Sequence, residues 1–484
     1  MDVTDPTARL RRTVYTLLTV VTVAAAAARV VGVELVYEPS LFRDESDTSP
    51  DAPTRIWPKI RPPAMPMFSS NDKSRWATIR ALVDEGTFAI GRRDDQPDGS
   101  YRDGGIIFEP GWGSVDKVLD PETHLYYSSK PPLLPGLLAG EYWVLQKLTG
   151  WTLKDDTRKV VITTLLTVNV LPLAGYLVLL SRLLERYGTT EWGRLFTFAV
   201  ACFGTFVTTF VTTLNNHTLA AYTALATVYP LLIDERLSVS TLLVSGLFAG
   251  LTAAFELPAL ALTAGLGIGL LFVVPWRTLG AFLPAAVIPL VALVALNYAA
   301  IGDWKPAYEK LDSPWYRYPG SHWEKQGPDA RGIDSAQYKE PRDVYAFHLL
   351  LGHHGVFSLT PVWLLAVAGM VGSVARTGRG RRWRQVMMLT LAVSAVVIVF
   401  FAWLVGTANY GGWTSGPRWF FWLTPLWLLA LLPAADWLAP RRGGRVVGYV
   451  LLAVSVFSAA FPAVNPWRHP WLYQLLEYLG WVRY

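Results

Sequence analysis

The stretch that decides the fold opens with Ser70-Asn71-Asp72-Lys73-Ser74-Arg75-Trp76-Ala77-Thr78-Ile79-Arg80-Ala81-Leu82-Val83-Asp84-Glu85-Gly86. It closes with Tyr126-Tyr127-Ser128-Ser129-Lys130-Pro131-Pro132-Leu133-Leu134. Ser70 or Asn71 can cap a helix there, and Gly86 can end it. Trp76, Ile79, Leu82 and Val83 share one face, so the pattern predicts a short amphipathic helix lying on a membrane surface. An acid heads this helix, and a lysine stands just before a Pro-Pro helix start. One long apolar run precedes the stretch and all the others follow it.

Those apolar runs set the class. Of 484 residues, 52% are hydrophobic and 17% charged, and mean hydropathy is +0.30. Crossing about 30 Å of hydrocarbon takes about 20 apolar residues, and many runs approach that length. The expected fold is an all-α polytopic membrane protein with juxtamembrane helices on its outer face. The net charge of +6 fits cytoplasmic loops rich in Lys and Arg, and no nucleic-acid partner is expected. Cys202 is the sole cysteine and sits in an apolar run, where it reads as a small core residue.

Taken in order, Arg9, Arg11 and Arg12 precede an apolar run, so residues 1–35 read as a signal anchor and first crossing with the N-terminus inside. The run 24–28 also resembles a cleavage region, but the apolar stretch is long for a signal peptide. Residues 36–159 form a first outer loop, within which 92–104 reads as an exposed charged loop. The basic loops 376–384 and 441–445 mark the inner side. Counting back from the first places crossings at 356–375, 278–300, 258–275, 238–255, 217–233, 192–213 and 160–182. By this parity the apolar helix 133–149 starts and ends on the outer side. Crossings at 386–407, 419–437 and 446–463 complete eleven. Thus 160–300 carries crossings two to seven, 301–355 is a second outer loop, 356–463 carries the last four crossings, and 464–484 is an interfacial aromatic tail.

On this topology the unusual polar residues collect near outer ends. They include Asp72, Asp116, Lys130, Asn216, His217, Glu256, Asp334, His348, His353, His354, Tyr410 and Arg418. Ionisable groups at membrane depth are costly and tend to line a cavity, so one shared outer cavity is expected. Each has a plainer alternative. Asp72 could be a helix cap, Lys130 a snorkelling interfacial lysine, and Asn216-His217 a helix start. Glu256, between two apolar helices, needs a partner. His348, His353 and His354 could bind a metal, but no acidic ligand is fixed beside them and none is expected.

The pattern Asn-Asp-x-Ser-Arg-Trp-Ala-Thr-Ile-Arg-Ala-Leu-Val-x-x-Gly from Asn71, with Ser-Lys-Pro-Pro-Leu from Ser129, resembles the first outer loop of C-type (GT-C) membrane glycosyltransferases. Protein O-mannosyltransferases and the aminoarabinose transferase acting on lipid A belong there. The resemblance spans residues 10–300 in layout, with the specific match at 71–86 and 128–134. The wide interval from Asp72 to Lys130 implies an insertion near 88–125.

The resemblance implies inverting transfer of a sugar from a polyprenyl-phosphate donor to an acceptor on the outer face of the cytoplasmic membrane, without a cofactor. The acceptor could be a lipid, a glycan or a protein. Asp72 is then the candidate base, and Lys130 and Arg418 are candidates for the phosphate. The family often has a second acid after the third crossing. Here Asn216 and His217 stand in that place, so His217, Glu256 or Asp116 could take the role. Asp334, His353 and His354 would face the acceptor. Tyr410, Trp413 and Arg418 belong to a glycine-rich loop suited to close backbone approach and sugar stacking. The alternatives are a flippase for a lipid-linked sugar, which would need charges along its helices, and a non-catalytic membrane assembly protein.

Overall fold

The computed structural model describes residues 6–35, 42–49, 55–57, 59–61, 63–324, 340–375, 378–405 and 409–482. Asp334 lies outside them. The chain is a mainly helical membrane protein. Among the described residues, six helices are long and apolar enough to cross a bilayer: Pro6–Val31, Thr157–Tyr187, Pro275–Ile301, Arg381–Leu404, Arg418–Leu438 and Arg442–Ala460. The first, at 26 residues, reaches about 39 Å at 1.5 Å per residue. Shorter apolar helices occupy Val239–Phe255, Leu257–Leu271 and Trp363–Ala375.

The chain divides into two compact units. One comprises Met1–Val30, Leu166–Ala292 and Gln326–Tyr484. Its most buried long helix is Arg418–Leu438, whose residues from Phe420 to Leu432 are all buried. This burial explains why a run containing four aromatics is helical on every face. The second unit comprises Val31–Leu165 and Leu293–Lys325. It holds the Ser70–Arg80 and Leu133–Thr149 helices and a four-stranded antiparallel sheet. Strand Gly91–Asp95 lies between Tyr101–Gly104 and Leu125–Ser128, and Lys117–Leu119 pairs with the last of these.

Three expectations are corrected. Residues 92–104 are not a loose charged loop but the hairpin Gly91–Asp95/Tyr101–Gly104. Arg93 is buried there because Asp103 takes its Nε and Nη2 at 2.8 and 3.0 Å, and the Tyr101 ring lies 3.7 Å from the guanidinium. The Ser70–Arg80 helix is not amphipathic in use, since Asn71 through Arg80 are all buried.

The third correction concerns the crossing placed at 192–213. The Glu191–Phe203 helix stops after 13 residues, about 20 Å. Gly204 and a run rich in β-branched Thr and Val follow, a composition that favours neither helix continuation nor a simple turn. Likewise the helix expected from 356 is interrupted at Thr360-Pro361. Val356–Leu359 is a single turn, and the long segment starts at Trp363.

The segment 204–215, whose helical part is the 3₁₀ turn Phe210–Thr212, is held by side chains. Asn169, in a π-turn of the Thr157–Tyr187 helix, donates to Val211 O and Thr213 O at 2.8 and 2.9 Å. Asn215 donates to Phe210 O and Arg29 to Thr208 O. Irregular backbone inside an apolar bundle requires such partners.

At another corner of this unit Asp436 is buried. It accepts from the backbone N–H of Thr189 and Thr190 at 2.9 Å each and pairs with Arg379 at 2.5 Å. A Cβ on Gly193 would collide with its carboxylate. Removing one member of a buried, hydrogen-bonded ion pair costs about 3–5 kcal/mol. Asp436→Ala is therefore expected to lower the melting temperature of the detergent-solubilised protein more than Arg186→Ala. Arg186 pairs with the exposed Glu235, and surface pairs contribute about 0–1 kcal/mol.

Candidate functional site

The second unit gathers Asp72, Asp116 and Lys130 around the buried Ser70–Arg80 helix. Ser69 caps that helix, and Asp72 closes the reciprocal bond of a capping box. The Asp72 carboxylate accepts from Ser69 N at 2.8 Å, Lys73 N at 2.9 Å and Phe68 N at 3.2 Å. Burial pushes its carboxyl above the ordinary carboxylate range, against the pull of these N–H donors. With 1% of its surface exposed, Asp72 holds the helix start, the plainer of its two sequence readings.

One turn on, Ser74 does what sequence reasoning missed. Its hydroxyl bridges Asp116 O and Ser128 Oγ, each at 2.6 Å. Ser128 Oγ accepts from Lys130 N at 3.1 Å, and Asp116 O also takes Ser129 N at 3.2 Å. The loop bearing Asp116 and the strand end bearing Lys130 are thus pinned to one serine. Their side chains meet, Lys130 Nζ lying 2.7 Å from Asp116 Oδ1, both partly exposed. A narrow cleft beside the pair is lined by Lys130, Ser128, Thr78, Phe88, Pro132 and Ile301. It therefore offers a cation beside a mixed wall, apolar at Phe88, Pro132 and Ile301 and polar at Thr78, Ser128 and Asn297. Tyr316, from the segment expected as second outer loop, packs with Val118 and Ala307 on the same unit.

The other unit gathers Asn216, His217, Glu256 and Arg418. Asn215 caps the Asn216–Ile233 helix through Thr218 N. Glu256 sits at the corner between Val239–Phe255 and Leu257–Leu271, and Asn216 Nδ2 donates to its Oε1 at 2.6 Å. His217 Nδ1 contacts the same oxygen, and its Nε2 lies 3.0 Å from Arg418 Nη1. Arg418 Nη2 donates to Gly411 O at 2.7 Å, and the guanidinium lies 5.0 Å from the Trp467 ring centre. This loop is held in an unusual form. Tyr410, Gly411 and Gly412 all have positive φ, and a Cβ on Gly411 would press on Arg418 Nε at 3.2 Å. Left-handed geometry at Tyr410 costs roughly 1–2 kcal/mol, so its surroundings must hold it.

Those surroundings are histidines. Tyr410 stacks on His354 at 4.8 Å and its hydroxyl bonds Glu340. His348 stacks on His353 at 4.0 Å, and His469 stands edge-on to His354 at 5.7 Å. His469, absent from the sequence-level candidates, also contacts Tyr473 at 4.3 Å and the half-exposed Trp413 at 4.8 Å. Among the described residues no group of His, Cys, Asp and Glu has the arrangement to hold a metal ion.

Burial lowers His469 to about 4, and burial with His348 and His469 nearby lowers His353 to about 3. The unfolded chain binds protons at these positions below about pH 6.5, where the folded chain does not. Stability is therefore full above that pH and falls as pH drops toward 4. The cost at His469 alone approaches about 3 kcal/mol. Melting curves from pH 7.5 to 4.5 should show this decline, and His469→Phe should flatten it.

No protein-family model matches the chain, and no curated protein matches it. The chain is similar to the crystal structure of the Archaeoglobus fulgidus oligosaccharyltransferase in the apo form, with TM-score 0.39 and 12% identity over 96% of this chain. The alignment spans 57% of that enzyme's length.

Proposed function

We propose that the protein is a membrane glycosyltransferase of the C-type, moving a sugar from a polyprenyl-phosphate carrier to an acceptor hydroxyl outside the cytoplasmic membrane. The observation that carries this reading is the Lys130–Asp116 pair beside a cleft with part-apolar walls, on the segment whose sequence resembles that family. A lipid phosphate has the matching make-up, an anion joined to a hydrocarbon chain.

In the reaction the acceptor oxygen attacks the anomeric carbon as the bond from that carbon to the phosphate oxygen breaks. The acceptor's proton passes to a carboxylate, and the polyprenyl phosphate departs carrying the charge. Lys130 is suited to the phosphate, since its ammonium has three donors and can serve Asp116 and a phosphate oxygen together. Arg418 is the second candidate cation. For the base, Asp116 is the better placed of the two acids. Asp72 is enclosed and spends both oxygens on backbone N–H groups, whereas Asp116 borders the cleft-lining lysine. Trp413, 55% exposed, is suited to stack on a sugar face.

The test is transfer from a labelled polyprenyl-phosphate sugar by membranes containing each variant. Asp116→Asn is expected to lower kcat by about 10²–10⁴-fold. Lys130→Gln should raise KM for the donor. Asp72→Asn should act chiefly on stability, by about 0.5–2 kcal/mol through the weakened cap. Full activity in Asp116→Asn would remove it as base, and full activity in Lys130→Gln would remove the phosphate role.

A further inference from the structure

Glu256, His217 and Arg418 form a line in which chemistry fixes the direction of each bond. A guanidinium has only N–H groups to offer, so its 3.0 Å contact with His217 Nε2 requires a lone pair there. In the neutral ring the proton then sits on Nδ1, which faces the Glu256 carboxylate. Asn216 gives the same carboxylate oxygen an amide N–H and anchors its own side chain on Phe255 O at 2.6 Å. Glu256 and His217 are 6% and 5% exposed, so water does not substitute readily for either bond.

We propose that Glu256 is a positioning residue for Arg418, acting through His217. The carboxylate selects the Nδ1–H tautomer, and Nε2 then clamps one arm of the guanidinium. The carbonyl of Gly411 clamps the other, in a loop whose left-handed turn brings that carbonyl to it. Without the carboxylate, the alternative tautomer would set an N–H against an N–H, and the ring or the arginine would turn away. A free arginine side chain carries about 2 kcal/mol of rotamer entropy. Fixing it before the ligand arrives lowers the cost of binding. The inference rests on the reading of Arg418 as a cation for the donor phosphate.

Donor KM and kcat are measured on the full chain in detergent, using a labelled polyprenyl-phosphate sugar. Direct binding of unglycosylated polyprenyl phosphate is measured alongside. Glu256→Ala and His217→Ala are expected to weaken donor affinity about tenfold or more, with a smaller effect on kcat. His217→Gln should recover most of the loss, because an amide can donate toward Glu256 and accept from Arg418. In the Arg418→Ala background, Glu256→Ala should cost nothing further. Should the alanine variants not fold, His217→Phe keeps a ring without the acceptor and should weaken donor affinity about tenfold, whereas Glu256→Gln and His217→Gln keep the acceptors. Both are expected to stay within a few-fold of wild type in donor affinity. Fully additive losses, or His217→Gln as weak as His217→Ala, would sink the relay while leaving the phosphate reading intact. Wild-type lipid affinity in Arg418→Ala would instead remove the phosphate reading, and the relay with it.

Discussion

A helix that stops short inside an apolar bundle leaves carbonyls that neither water nor lipid can serve. Each such group costs several kcal/mol if left bare. That constraint governs the segment from Gly204 to Asn215. Asn169 reaches it from a π-turn, which brings a polar side chain to bear without ending its own helix. Asn215 serves both sides of the break, donating back to Phe210 and Thr213 and accepting from Thr218. The next helix therefore begins at a fixed point, with Asn216 and His217 in its first turn. The polar cluster with Glu256 and Arg418 depends on that placement.

A second constraint is that buried charge must be met locally, and it recurs in both units with different solutions. Arg93 is answered by a bidentate Asp103 within one hairpin. Asp436 is answered by two backbone amides and Arg379. Asp72 is answered by three backbone amides and the Ser69 hydroxyl. These groups are satisfied by bonds that also hold the fold, so their charges are explained without a ligand. Lys130 with Asp116 differs because both groups keep some exposure and lie at a cleft. Exposure beside a cleft, rather than charge alone, separates a candidate site from a structural pair.

Hydropathy made the helical character and the placing of most apolar helices legible, because composition over long windows decides them. The cap at Gly86 was legible too, a left-handed glycine at a helix end. The hairpin 91–104 was not, since alternating Arg and Asp reads as solvated until Asp103 is seen to neutralise Arg93. Nor was the break at Gly204, whose run of Val, Phe and Thr is as apolar as a span. Residue types marked Asp116, Lys130, His217, Glu256 and Arg418 as candidates. Their partners lie far off in sequence, 201 positions apart for Arg418 and His217, and only the fold could pair them. Ser74 and His469 carried no signal of their own. A serine inside a helix is ordinary, and a lone histidine in an aromatic tail gives no hint of three others around it.

The two candidate cations are held in ways that match their chemistry. An ammonium is a compact point charge with rotatable donors, so Lys130 needs a neighbour of opposite sign and little directional support. Ser74 supplies the rest by fixing the backbone on either side. A guanidinium is a planar fork, and its value for a phosphate lies in the plane being set beforehand. Arg418 accordingly has an acceptor on each arm, an imidazole nitrogen and a carbonyl. The carboxylate that fixes the imidazole is kept one ring away. The intervening histidine passes on direction from the carboxylate to the guanidinium.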